Sequence, residues 1–333
     1  MTIKKKKKMI KQKLKMKKAG IFMKLTIGFD LGASRVKVSF INSENELCTV
    51  IFPNRIDPNA TMAKSGVKVM FNGNACRIGA ISGYSNLQVK KVNYDKLPEI
   101  LFTAVNYITQ QVGETDLELE INTVLPPQQF MESKKEFKKL LIGLDGESAV
   151  VDGKTITLKI SKVRVGCEGV ALLKTLDLQN LGDQASQLLL LDVGSSTTDI
   201  IILSEENQIY NVEDALTFPK GGKVMCKEIA TYLNNMHIGT TFDADKLERQ
   251  MRYQLDGQNY DLTECQQAYD GFVSELLAFL NGSIGNIRLY KVILAGGGSR
   301  LLKHNQKFQD VVKGFVVVPD EFLDFGNSTG ILL

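Results

Sequence analysis

One stretch, Leu188 to Leu203 (LLLLDVGSSTTDIIIL), restricts the fold of this chain more than any other. Four leucines run into Asp192, the turn Gly194-Ser195-Ser196-Thr197-Thr198 follows, and Asp199 opens a second apolar run. Two buried strands therefore flank a turn suited to phosphate oxygens. Gly194 lets the backbone approach closely, and the hydroxyls and turn N–H groups can donate to an anion. Asp192, at the end of the incoming strand, is placed to hold a metal-bound water beside the phosphates. The pattern occurs a second time. Ile27 to Phe40 (IGFDLGASRVKVSF) again gives strand, Asp30, Gly32, small and hydroxyl residues, and strand. Two Asp-x-Gly hairpins in one chain imply two related domains facing one nucleotide.

A third element is Val292 to Leu302 (VILAGGGSRLL). An apolar strand enters Gly296-Gly297-Gly298-Ser299, and LLKHNQKFQDVV then reads as a helix. Successive glycines permit φ > 0 and remove every Cβ, so a flat ring or a ribose can lie on the backbone. No G-x-x-x-x-G-K-[ST] occurs, and no G-x-G-x-x-G follows a strand, which excludes a P-loop and a dinucleotide fingerprint.

In this order the three elements resemble the actin-like ATPase superfamily, which includes actin, the seventy-kilodalton heat-shock chaperones and the sugar kinases. Asp30-Leu31-Gly32 resembles the first phosphate loop, Asp192 to Asp199 the second, and Ala295 to Ser299 the adenosine loop. The resemblance implies an α/β, actin-like (ribonuclease H-like) duplicated two-lobe fold with a nucleotide cleft and small inserted subdomains. Within the superfamily the middle of the chain looks like the ParM/StbA plasmid-segregation actins. It has a strand ending in Leu-Pro, a Lys-rich segment (Lys134, Lys135, Lys138, Lys139), a hairpin, and a Glu-Gly turn before the second phosphate strand.

The implied organisation has a basic extension over residues 1–22. A first lobe follows over 23–187, with a small insertion at about 54–92. A second lobe covers 188–333, with a small insertion at about 231–270, and the C-terminal segment returns to the first lobe. The formal charge of +4 is uneven: residues 1–22 carry ten lysines and no acid, and the remainder has 31 Lys and Arg against 37 Asp and Glu, a net charge of −6. The tail reads as a disordered extension or a mis-assigned start, with Met23 the natural first residue. Hydrophobic content of 44% and charged content of 23% are those of a soluble globular protein. No run of 18 apolar residues exists, so no membrane span is expected. The five cysteines form no C-x-x-C pair and neither histidine neighbours one, which argues against zinc or a disulfide framework and for a cytoplasmic protein.

Local patterning adds a helix over Leu97 to Val112, a strand over Leu117 to Leu125 stopped by Pro126-Pro127, and a hairpin around Asp152-Gly153. It adds a helix from near Lys223, a polar and helical region from about Thr231 to Tyr269, and a helix over Val273 to Leu280.

The resemblance implies ATP, with GTP not distinguished, and Mg2+ on its β- and γ-phosphates. Asp30 and Asp192 would hold the metal through water. Gly32, Ser34, Gly194, Ser195, Ser196 and Thr197 would line the phosphates, and Lys37 matches a family lysine on the strand after the first loop. Glu168 would orient or activate the attacking water, the alternative being a helix cap. Gly221, Gly222, Gly296, Gly297, Gly298 and Ser299 would contact ribose and adenine, with Asp245 and Lys246 reaching the base edge. Ala33-Ser34-Arg35 departs from the family pattern by losing one hydroxyl and gaining a guanidinium.

The implied function is an ATP-dependent filament for plasmid segregation, polymerising with ATP and disassembling after hydrolysis. Its partners would be further copies of itself and a small DNA-binding adaptor on a plasmid centromere, with no direct sequence-specific DNA contact and no membrane. The alternatives are a small-molecule kinase of the same superfamily and an MreB-like membrane-associated filament.

Overall fold

The computed structural model describes residues 22–58, 65–80, 83–85, 90–176, 187–206 and 209–333. The N-terminal basic segment, save Phe22, lies outside the described residues. The described residues divide into two compact units, one within 22–125 and 132–166, the other within 126–131 and 167–331.

In the first unit, β1 (Met23–Leu31), β2 (Arg35–Ile41) and β3 (Leu47–Pro53) form an antiparallel meander. Asn45, at φ 64°, makes the tight turn between the last two. Strands β4 (Arg55–Asp57), β5 (Val67–Phe71), β6 (Asn74–Ile78) and β7 (Tyr84–Ser85) start a second sheet. Helix α1 (Leu97–Val112) has Pro98 in its first turn and ends on Gly113 at φ 70°, whose N–H caps Thr109 O at 2.9 Å. Strand β8 (Leu117–Leu125) stops at the two prolines, and helix α2 runs from Pro127 to Ile142. The hairpin β9 (Ser148–Val151) and β10 (Lys154–Thr157) precedes β11 (Ile160–Cys167). The main sheet has the order β11-β8-β1-β2-β3, with β1 and β8 parallel. The smaller one has the order β10-β9-β5-β6-β4-β7, so the hairpin near residue 150 is recruited into the sheet of the 54–92 region.

The second unit opens with α3 (Val170–Leu173) and the meander β12 (Gln187–Val193), β13 (Thr198–Glu206) and β14 (Ile209–Phe218). Helices α4 (Gly222–Met236) and α5 (Ala244–Gln250) follow, then the hairpin β15 (Arg252–Leu255) and β16 (Gln258–Asp261), and helix α6 (Asp270–Ile284). The unit closes with β17 (Lys291–Ala295), α7 (Ser299–Leu302), α8 (Gln306–Val311), β18 (Val316–Val317), α9 (Asp320–Leu323) and α10 (Gly326–Gly330). Its sheet has the order β14-β13-β12-β17-β18, again a three-strand meander extended by a parallel strand beside the first. The two main sheets thus share one plan.

The leucine run shows why. Leu189 and Leu191 enter one core with helices α4 and α6, while Leu188 and Leu190 enter another with α3 and α9. Side chains alternate across a strand, so a continuous apolar run demands cover on both faces. No described helix is long and apolar enough to cross a membrane.

Two local expectations are corrected. The region read as helical between Thr231 and Tyr269 contains the β15–β16 hairpin, turned by Asp256 (φ 49°) and Gly257 (φ 78°) and stacked through Tyr253 on Tyr260. The helix read after the glycine triplet is two short helices. They break at Asn305, whose side chain caps Phe308 N at 3.0 Å and donates to Asp270 at 2.8 Å. Residues 167–176 cluster with the second unit, where α3 packs on α10. Gly330 there is so close to the Ala171 carbonyl that no Cβ fits.

Candidate functional site

In the second unit three glycine-bearing loops are stitched together by backbone hydrogen bonds. Gly222 N donates to Gly194 O at 2.8 Å, and Lys223 N donates to Ser195 O at 2.9 Å. Gly298 N donates to Val193 O at 2.9 Å. The approach is so close that only glycine is accommodated at Gly221, where a Cβ would stand 2.8 Å from both Ser195 O and Thr197 N. Gly296 has φ 75°, and a Cβ there would meet Val193 O at 2.5 Å and also the Asp192 carboxylate. The turn Gly194–Thr197, the pair Gly221–Gly222 and the triplet Gly296–Gly298 therefore converge. Gly194, Ser195, Ser196 and Thr197 are half-buried. Thr198 is buried, and its hydroxyl is used on Lys220 O at 2.9 Å.

Asp192 is half-buried, and its Oδ2 accepts from Asn327 Nδ2 at 3.3 Å. The other end of that amide accepts from Gly169 N at 2.8 Å. Asn327 thus ties the loop carrying Glu168 to Asp192, and sequence reasoning missed it. Gly169 (φ 74°) precedes α3 as its N-cap residue. Partial burial, with Glu168 and Asp199 nearby, pushes the half-buried Cys167 thiol up to about 12, so it stays protonated.

Two expected base contacts are differently engaged. Ser299 is fully buried and its hydroxyl donates to Gly296 O at 2.7 Å, so it holds the turn. Asp245 pairs with Lys223 Nζ at 2.7 Å, which makes Lys223 a site residue that the sequence pattern did not single out. Lys246 is exposed, and its backbone N–H is capped by Asp243 at 2.8 Å.

The first unit carries the other hairpin. Asp30 is 3% exposed and stands across the ladder from Lys37, as Asp192 stands across from Asp199. Lys37 Nζ lies 3.4 Å from Asp30 Oδ2 and Lys91 Nζ 3.6 Å from Oδ1. Burial pushes the Asp30 pKa up, but the charges of Lys37 and Lys91 outweigh it and hold the carboxyl below its ordinary value. Asn54, fully buried, donates through Nδ2 to Gly32 O at 2.9 Å and through its backbone N to Ser34 O at 2.9 Å. Gly32 is required because a Cβ would meet Arg35 O at 2.6 Å.

Among the described residues no group of three or more His, Cys, Asp or Glu could hold a metal by itself. Mg2+ characteristically keeps several waters and takes only one or two carboxylates. Asp192 is half-buried, and Asp30 is buried beside Lys37 and Lys91.

The shared plan of the two main sheets, each with an Asp-ended hairpin, defines the class: a duplicated, ribonuclease H-like two-lobe fold. Residues 28–170 match the family model described as the N-terminal domain of actin-like proteins. Residues 190–307 match the model described as the C-terminal part of the archaeal MreB-like actin homologue. The two models together span most of the chain, and the chain belongs to the actin-like superfamily. No curated protein matches it by sequence. Among solved structures, a 15-stranded ParM filament from Clostridium botulinum is similar at 19% identity and TM-score 0.68, covering 93% of this chain and 98% of that one. An archaeal actin homologue in complex with ADP has 18% identity and TM-score 0.67, covering 92% and 97%. Bacillus thuringiensis ParM with ATP has 15% identity and TM-score 0.65, covering 92% and 97%. At these identities the likeness is one of fold.

Proposed function

We propose that this protein is an ATPase that polymerises with ATP, disassembles after hydrolysis, and in doing so segregates plasmid DNA. The observation that carries the reading is the convergence of the Gly194–Thr197 turn, Gly221–Gly222 and Gly296–Gly298. Such a glycine platform suits a phosphate chain on the turn and a flat nucleoside on the triplet. The similarity to a ParM filament and to structures holding ADP and ATP supports it.

In this mechanism Gly32, Ser34, Gly194, Ser195, Ser196 and Thr197 are the phosphate-binding residues. Lys37 contributes charge. Gly221, Gly222, Gly296, Gly297 and Gly298 receive ribose and adenine, with Asp245 and Lys246 near the base edge. Glu168 orients the attacking water, its loop steadied by Asn327. Asp30 and Asp192 would hold magnesium through water, and the ion would supply charge neutralisation to the phosphates. Transfer to water then needs positioning more than covalent chemistry. Head-to-tail contacts between copies propagate without closing, which gives filaments. A small DNA-binding adaptor links the filament to a plasmid centromere in the cytoplasm.

The test is 90° light scattering with negative-stain microscopy on protein starting at Met23, with ATP or GTP and Mg2+. Nucleotide-dependent filaments are expected. Turnover without filaments, appearing only when a sugar or acid is added, would replace this reading with a small-molecule kinase.

A further inference from the structure

The second unit exposes apolar surface where its sequence carries no charge. Between Glu228 and Asp243 there is no Asp, Glu, Lys or Arg, in a chain that is 23% charged. This stretch is the C-terminal half of α4 and the loop after it, and it exposes Tyr232 (43%), Met236 (61%) and Ile238 (96%). Exposed aromatic, methionine and aliphatic side chains with charge depleted around them have the composition of an interface core. The loop is also held in shape. Asn234 Nδ2 donates to Phe242 O at 3.3 Å, Asn234 Oδ1 accepts from Phe242 N at 2.7 Å, and Thr240 N donates to His237 O at 3.1 Å. The buried Phe242 ring lies 6.0 Å from that of His237. Ile238 therefore stands on a preformed turn, and little ordering remains to oppose its burial.

The same unit holds a cavity of about 220 Å³ lined by Ile287, Arg288, Tyr290, Val292, Val312 and Lys313. Four of these six are aliphatic or aromatic, and the exposed Leu289 stands in the same turn. An apolar cavity of about 150 Å³ already admits a benzene-sized group, so this one has room for an isoleucine side chain. Knob and cavity lie at opposite ends of the unit. Glu228, in the middle of α4, accepts from the backbone N–H of Phe272 at the start of α6. Lys220, just before α4, pairs with Glu275 a turn further along α6. The two helices therefore run in opposite directions and their C-terminal ends diverge. Ile238 follows the end of α4, and Ile287 follows the end of α6. From Glu228 to Met236 and from Gly271 to Ile284 the helices together rise by about 30 Å.

We propose that Ile238 of one copy seats in the cavity around Ile287, Tyr290, Val292 and Val312 of the next, so that the partner of both surfaces is a second copy of this chain. This rests on the filament reading above and names the contact that carries it. The signs of charge agree, since Asp243 closes the uncharged stretch while Arg288 and Lys313 flank the cavity. Knob and cavity differ and lie at opposite ends, so each contact leaves one of each free, and copies add without closing.

The experiment is sedimentation, with ATP and Mg2+, of protein starting at Met23, comparing wild type, Ile238→Asp and Ile238→Leu. ATP affinity is titrated below the assembly concentration. Ile238 lies almost wholly in water, so aspartate there leaves the fold intact. Aspartate should raise the critical concentration about tenfold or more, as losing the burial of one isoleucine does, with ATP affinity within about twofold of wild type. Leucine should stay within about threefold. The direction of contact is read with a short bis-maleimide that joins thiols in pelleted filaments. The double variant Ile238→Cys/Leu289→Cys should give a ladder of covalent oligomers, and each single variant no more than wild type gives. Ile238→Asp protein that assembles at the wild-type concentration, or double-variant filaments that give no ladder, overturn this inference and leave the filament reading standing. Ile238→Asp protein that loses ATP affinity together with assembly also overturns it, by making the loop part of the nucleotide site. Wild-type protein that does not sediment with ATP or GTP overturns the filament reading as well.

Discussion

Gly221→Ala tests the glycine platform of the second unit through space alone. Gly221 has φ −144° and ψ −162°, an extended conformation open to any residue, so backbone strain does not enter. The added methyl would stand 2.8 Å from Ser195 O and from Thr197 N, and closer still to Gly194 O. All three are backbone atoms of one turn, and no side-chain rotation relieves them. The turn must retreat by about 0.6 Å or more to reach ordinary contact distance. That movement breaks or stretches the bonds from Gly222 N to Gly194 O and from Lys223 N to Ser195 O. Two such bonds are worth about 2 kcal/mol, and overpacking a close-packed contact costs about 1–3 kcal/mol. The expected loss is about 3–5 kcal/mol of stability, with nucleotide affinity falling alongside. Urea unfolding with and without ATP measures both. Gly282→Ala is the control: it lies in helix α6 with no atom within 4 Å of its added methyl. It should gain about 0.5–1 kcal/mol by stiffening the unfolded chain. A Gly221→Ala protein as stable as wild type, with unchanged ATP affinity, would refute the convergence of the three loops.

Further outcomes follow from the two hairpins. Asp30→Asn leaves the buried Lys91 ammonium and the half-buried Lys37 ammonium without their carboxylate and should cost about 3 kcal/mol at pH 7. The folded pKa of Asp30 lies below 3.8, so its stabilisation is complete above that value and is lost as pH falls through the folded pKa. The gap between variant and wild type should therefore narrow below pH 3.8 in urea unfolding measured against pH. Asn327→Ala leaves Gly169 N and Asp192 Oδ2 without a partner that each now has. Single-turnover kinetics should show hydrolysis about tenfold slower, equivalent to about 1.4 kcal/mol, with ATP affinity changed less than about threefold.

What could be read from the sequence was local. Helix α1 announces itself by apolar spacing, Pro98 and Gly113, and β8 by its closing prolines. The two Asp-x-Gly hairpins are legible because strand, turn and strand are contiguous and the apolar runs flank them. The β15–β16 hairpin was hidden by its polar strands, although Asp256-Gly257 is a strong turn signal in itself. Lys91, Asn54, Lys223 and Asn327 could not be recognised, because each acts on a residue far along the chain. Lys91 meets Asp30 and Asn327 meets Asp192 only after the sheets have formed. Nothing in the neighbourhood of a lone lysine or asparagine marks such a pairing. Ser299 illustrates the converse: its place after the glycine triplet suggests ligand contact, and packing turns it inward onto Gly296 O.

The central claim, that nucleotide hydrolysis governs the lifetime of a filament, is tested most directly by following light scattering and phosphate release together after ATP addition. Wild type and Glu168→Ala should be compared in protein starting at Met23. Wild type should scatter, release phosphate and then decay. The variant should assemble, release phosphate at least about a hundredfold more slowly, as loss of a water-positioning group costs, and persist. Filaments of equal lifetime in the two proteins, or phosphate release from the variant at the wild-type rate, would contradict the account.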